Sequence, residues 1–449
     1  MKPRPLSRTS LAAVIVALPL VLALSAGNGG AASPPHAVAG AAFPPASFEV
    51  WVMDQSDTAT DGGGTLYVYP GDALTADAAA AEPDVVDLGG VARALCVVQT
   101  GTAPKRPHML MLNKSHSYAI VSFVATGHVL FLDAPTRTPI ACIDVGEQAH
   151  AAYPSPDESY VIVANQNGKL LQRIRSDFTA GTFALDDAAT IDLAACATPS
   201  GAACEDPALR PDNAPICPVV TADARFTAVT LRGGGLLVVD SRATPMTIVA
   251  EYDAATILPN GCVGVETAGK LYINSGGGTV LTPFAADLYA FDVAAFSTTP
   301  SPPNTPAPTE VFSYSATGSD THGCVLIGGG AYVWVADRAA NRIIVVEVAS
   351  DEAVAEFSLA GNISGDPAPD LIDVSPDGGW VFMALRGPSP LTANVEGANN
   401  AVGSSPGLGV ARVGSDGRSG ELVGVAPITH LGPDGAVTAD PHGLAVRSL

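Results

Sequence analysis

Short apolar runs rich in Val, Ile, Leu and aromatic residues recur along this chain with polar turns between them, and two neighbouring stretches are near copies. Around Tyr118 the order is polar turn, YAIVSFV, a turn containing Gly127, HVLFLDA, another turn, then PIACIDVG. The next stretch reads AHAAYPS, YVIVANQ, a turn at Gly168 and KLLQRI. Runs this short, bounded by Gly, Pro, Asp and Ser, are strands joined by tight turns, not the amphipathic helices of βαβ units. Four in succession predict one blade of a β-propeller.

Further copies follow. One contains ICPVVTADARFTAVTLRGGGLLVVD, another NGCVGVETAGKLYINSGG with ADLYAFDV, a fifth THGCVLIGGGAYVWVADRAANRIIVVEV, and a sixth starts PDLIDVSPDGGWVFMALRG. The chain ends on DPHGLAVRSL, a first strand with no room for the other three. Its early part offers FEVWVMDQSD, GTLYVYPG and PDVVDLGG, three strands lacking a first. Joining them closes a ring and removes exposed blade edges. The expected fold is therefore all-β, a seven-bladed β-propeller closed by its C-terminal strand. Stretches of roughly 183–212, 294–318 and 387–438 read as insertions, the last two rich in Pro, Gly, Ser, Thr and Asn, and 387–438 as a candidate lid over one face.

Ahead of the propeller stand Lys2, Arg4 and Arg8, an apolar run from Leu11 to Leu24 and then small residues, the layout of an export signal. The reading is a signal peptide over 1–32, a flexible segment over 33–47, the propeller over 48–449, and a periplasmic or secreted destination. The run is short for a bilayer span, so no stable membrane insertion is expected. With 22 Lys plus Arg against 44 Asp plus Glu, the surface repels nucleic acid. Seven cysteines in an exported chain permit disulfides. Cys196 and Cys204 should staple the loop between them; Cys96 with Cys142, and Cys262 with Cys324, are further candidate pairs, with simple burial or thiol ligation as the alternatives for the last two, and Cys217 is the first candidate to stay unpaired.

Counting ten residues back from the start of each second strand picks out one position per blade: His108, His150, Ile216, Asn260, His322 and Asp370. The closing strand supplies His442 through the likeness of PHG to THG. Four of the eight histidines thus share one position. First strands line a propeller's channel, so these side chains should meet at one mouth. Neutral imidazole is a good donor to Cu or Zn, and a carboxylate such as Asp370 can ligate or orient a ring. Histidines bonded to neighbouring backbone in a wet channel are the alternative. Turns on the same face present His128, Lys169, Arg232, Arg338, Arg342 and Arg386, scarce cations suited to a small anion; Asn260, Arg232, Arg342 and Arg386 are the ligand-binding candidates.

The SPDG-like turns, the triplet YVWVADRAANRIIVVEV and the PHG or THG starts resemble YVTN or YncE-like seven-bladed propellers, a superfamily that includes lactonase-like members. The histidine-lined mouth is similar to the propeller domains of nitrous-oxide reductase and thiocyanate dehydrogenase. That resemblance implies copper held by His108, His150, His322 and His442, with Asp370, Lys169 and His128 as candidates for catalytic roles. No cupredoxin domain follows, which argues against nitrous-oxide reduction. Two classes stay open: a copper-dependent oxidoreductase that needs an electron acceptor, and a non-catalytic binding, scaffold or metallochaperone protein with an envelope partner. A lactonase-type hydrolase would want a carboxylate-rich Ca²⁺ site, and the ring has one Asp among four His.

Overall fold

The computed structural model describes residues 47–56, 62–280, 282–299 and 305–449. The leader, His36, and all of 33–47 except Ser47 lie outside the described residues. Seven antiparallel sheets are formed in chain order. Blade 1 runs through Pro107–Leu112, Tyr118–Phe123, His128–Asp133 and Thr138–Asp144. The inner strands of blades 2 to 6 are Ala149–Pro154, Pro215–Val220, Gly264–Thr267, Thr321–Ile327 and Pro369–Val374. Blade 7 is the composite one: Pro441–Ser448 pairs with Phe48–Asp54, followed by Thr65–Pro70 and Asp84–Asp87. Among the described residues no helix is long and apolar enough to cross a membrane.

Tyr118, Tyr160, Phe226, Lys270, Tyr332 and Trp380 each begin a second strand, where the repeat placed them. Tyr118 shows why a large ring suits this position: it packs against Phe178 and Phe183 of blade 2, each with centroids 5.5 Å away.

The expected insertions carry more structure than their composition suggests. Residues 387–438 contain Gly407–Val413 and Gly420–Pro427, the outer two strands of blade 6, and residues 294–318 contain Thr309–Ser313, the outer strand of blade 4. In 183–212, Thr182–Leu185 and Ile191–Asp192 both pair with Leu170–Asp177. The glycines that read as loop serve packing instead. A Cβ at Gly420 would come within 2.7 Å of the Trp334 ring of blade 5.

Candidate metal centre

Each ring residue outside blade 4 is the second residue of its inner strand, and each falls where the ladder slips. The register breaks between Pro107 and Leu110, Ala149 and Ala151, Pro215 and Pro218, Thr321 and Cys324, and Pro369 and Ile372; in blade 7 the break likewise spans His442. A bulge turns a side chain out of the alternation of its strand, and in these six blades it turns the ring residue toward the axis. A repeated backbone bond sets the rim. The N–H just past the second strand donates to the carbonyl two residues before the ring position, as in Val124 to Arg106, Arg338 to Asp320 and Gln55 to Asp440. In blade 4 the ring position is reached by a loop, since Asn260 stands ahead of its strand with φ of 61°.

The four histidines are brought together. His108 Nε2 and His150 Nε2 are 3.3 Å apart, the His108 and His442 rings stack at 4.0 Å, and the His322 and His442 centroids are 5.3 Å apart. Hydrogen-bond partners decide the tautomers. Gln55 Nε2 donates to the Asp440 carboxylate, so its Oε1, 2.8 Å from His108 Nδ1, must accept the proton there. His442 Nδ1 likewise donates to the His108 carbonyl at 3.1 Å. Nε2 of both rings is left unprotonated, facing His150 Nε2 in His108 and without a hydrogen bond in His442, the pattern of a metal-ligating histidine whose other nitrogen is held by an oxygen. His442 Nε2 and both nitrogens of His322 are buried without a hydrogen bond, although Asp370 oxygens stand 3.8 Å and 3.3 Å from the two Nε2 atoms. Burial, with the neighbouring imidazoles adding to it, holds His108 well below the ordinary histidine value, and burial lowers His150 and His442 as well. Neutral imidazole is the form a metal takes.

Asp370 is the counter-charge of the site. Arg338 Nη1 lies 3.2 Å from both of its oxygens, and Arg386 donates to it from the other side. Arg338 also pairs with Asp320, and Arg386 with Asp440, all with fully buried side chains. Burial opposes the charge on Asp370, but the two histidines and two guanidiniums hold its carboxyl well below the usual carboxylate range. Three carboxylates face two guanidiniums, which leaves this network with one negative charge beside the bare imidazole nitrogens. A buried anionic excess next to unprotonated nitrogen suits a cation. The donor set therefore fits a borderline or soft transition metal.

A cavity of about 590 Å³ opens over the ring, lined by His108, His150, His322, Asn260 and Arg232, with residues 391–396 forming part of the wall. That wall is fastened to the charged network: Leu391 N–H donates to Asp440 at 2.7 Å, Arg386 to the Thr392 carbonyl at 3.0 Å and Arg338 to the Ala393 carbonyl at 3.2 Å. Of residues 387–438, it is 391–396 that line this cavity.

Several expected site residues are placed elsewhere. His128 sits in a hydroxyl cage, with Nδ1 2.9 Å from Thr126 and Nε2 3.0 Å from Thr100, and does not line the cavity. Lys169 pairs with Glu205, and Arg342 is held by Asp337, Glu356 and Ser319. Arg386 belongs to the buried network beneath the mouth and has no free face for an anion. In each case a scarce cation found a carboxylate in a chain rich in them. Arg232 reaches the cavity while bonded to Asp212 at 2.5 Å. His116 lies at the opposite end, where its Nδ1 accepts from the Ser448 N–H. Sequence reasoning missed Gln55, Asp320 and Asp440. A signal existed for the two acids, since DTHG and DPHG share an Asp two residues ahead of the ring histidine.

Disulfides join Cys196 to Cys204 and Cys96 to Cys142. Of the alternatives for Cys262 and Cys324, the bridge does not form and both thiols are buried; Cys262 instead faces Cys217, with sulfurs 2.8 Å apart. Cys217, one residue off the ring register, stands inside the register shift at Pro215–Pro218. The Cys217 hydrogen bond holds the Cys262 thiol well below its ordinary pKa despite burial, with His322 and His150 adding to it, and burial pushes Cys324 up to about 12.

No protein-family model and no curated protein matches the chain. Solved structures are similar to it. A protein from Lactobacillus plantarum is 12% identical over 89% of this chain and 99% of its own, with a TM-score of 0.57. Two putative 6-phosphogluconolactonases are comparable: that of Bacteroides uniformis at 12% identity, 89% and 99% coverage and TM-score 0.55, and that of Bacteroides fragilis at 10%, 89%, 98% and 0.54. At such identity the likeness establishes architecture alone, and that architecture is the β-propeller, here with seven blades.

Proposed function

We propose that this chain is an exported propeller protein that binds a transition metal, Cu or Zn, through His108, His150, His322 and His442 at the mouth of its channel. The observation that carries the reading is the unprotonated Nε2 atoms of His108 and His442, the second buried without a hydrogen bond, their Nδ1 protons engaged by oxygens, beside a buried network with one negative charge in excess. Gln55 holds the His108 tautomer, and Asp370, with Arg338 and Arg386 keeping it ionised, stands as the counter-charge beside His322 and His442. Bound copper would supply one-electron chemistry, and zinc Lewis acidity. The cavity above, with Asn260 and Arg232 in its wall, has room for a small ligand. Two disulfides support the periplasmic or secreted destination.

Elemental analysis of the purified mature protein tests the reading. The expected content is about one to three ions per chain, lost in the His322→Ala/His442→Ala variant. Content unchanged by that double substitution overturns it. A Cu²⁺ spin-resonance signal that a small reductant bleaches favours the oxidoreductase, and exchangeable, spectroscopically silent Zn²⁺ favours a carrier.

A further inference from the structure

Beneath the imidazoles the channel turns to sulfur. The donor atoms of His150, Cys217 and Cys262 all lie within 4.8 Å of one another. Cys262 Sγ is also 4.0 Å from the Met109 thioether, and both thiols are buried and free of disulfides. Met109 and Tyr153 form the floor, since they line a second cavity of about 240 Å³ on the far side. The two thiols come from the inner edges of blades 3 and 4 and His150 from blade 2, so three successive blades build the group.

We propose that His150, Cys217 and Cys262, with Met109 beside them, form a second donor set that takes Cu(I). The proposal rests on the metal reading above and narrows its metal to copper. Two thiols, a thioether and one imidazole are soft donors that select Cu(I), whereas zinc makes no use of a thioether. The two sulfurs stand 2.8 Å apart, closer than ordinary non-bonded contact. Binding is a ligand exchange: each thiol gives its proton to solvent as its sulfur bonds the ion, His150 gives the single lone pair of its neutral ring to this set, which leaves the upper centre to His108, His322 and His442, and no electron is transferred. Bound Cu(I) would also protect a close thiol pair in an exported protein, since unligated pairs are oxidised outside the cytoplasm.

The test is anaerobic titration of the mature chain with Cu(I) delivered from its bicinchoninate complex, read by X-ray absorption at the copper edge. Wild type should show sulfur neighbours to copper. Cys217→Ser/Cys262→Ser should lose them and yield Cu(I) to bicinchoninate at least tenfold more readily, while Cys324→Ser behaves as wild type. Copper bound through nitrogen alone in wild type overturns this proposal and leaves the histidine centre standing. Thiol labelling of the unfolded protein that finds only Cys324 reactive, marking a Cys217–Cys262 disulfide, also overturns it. Absence of any bound metal in wild type removes both readings. The wild-type spectrum decides the matter even if the double variant fails to fold.

Discussion

Asp370 holds together groups from three blades, and its replacement isolates the consequences of one charge. Asp370→Asn leaves Arg338 and Arg386 facing each other across a neutral amide in a fully buried setting. Breaking a buried pair costs about 3–5 kcal/mol, so the urea midpoint at neutral pH should fall accordingly. Asp373, at the opposite end of the same strand, behaves differently. Burial raises its pKa from 3.8 to about 6, against the N–H groups of Val446 and Val374 that favour its charge. Between these values the folded state binds more protons than the unfolded one, so stability falls as pH rises and the penalty persists above the window. The stability gained by Asp373→Asn relative to wild type should therefore grow from pH 4 to pH 6; a difference that stays flat in pH-resolved urea titrations would contradict this assignment.

Within the blade elements, the glycine after a ring histidine proves as telling as the histidine. A Cβ at Gly443 would meet the His108 carbonyl at 2.6 Å and Leu110 N at 2.9 Å, and one at Gly323 would meet the Asp370 carbonyl at 2.5 Å. Glycine lets neighbouring inner strands approach closely enough for their ring side chains to touch. Gly443→Ala should cost about 1–3 kcal/mol through overpacking and, by displacing His108, reduce bound metal in the same preparation. The PHG and THG starts were legible as a repeat, and the second-strand aromatics fell where the ten-residue spacing put them. The reason for the glycine was not legible, because its neighbour comes from another blade.

For the molecule as a whole, ring closure and metal should govern stability together. Removal of residues 441–449 takes away His442 and exposes the edge of Phe48–Asp54. We expect loss of the cooperative calorimetric transition and aggregation from the open edge. If the centre binds metal in the folded state alone, chelation should lower Tm in wild type by linkage and leave the His322→Ala/His442→Ala variant unmoved.

The order of short apolar runs and turn residues was enough to specify strands, blade number, closure and the four histidines, because alternation and turn chemistry act between near neighbours. Packing across blades decided the rest. Bulges aimed the ring residues at the axis, Gln55 chose the tautomer of His108 from 53 residues away, and Cys217 met Cys262 instead of Cys324 meeting it. Which cations stayed at the mouth also depended on tertiary structure, since Lys169, Arg342 and Arg386 each took a nearby carboxylate. Such choices turn on distances between side chains from different blades, and spacing along one chain does not encode them.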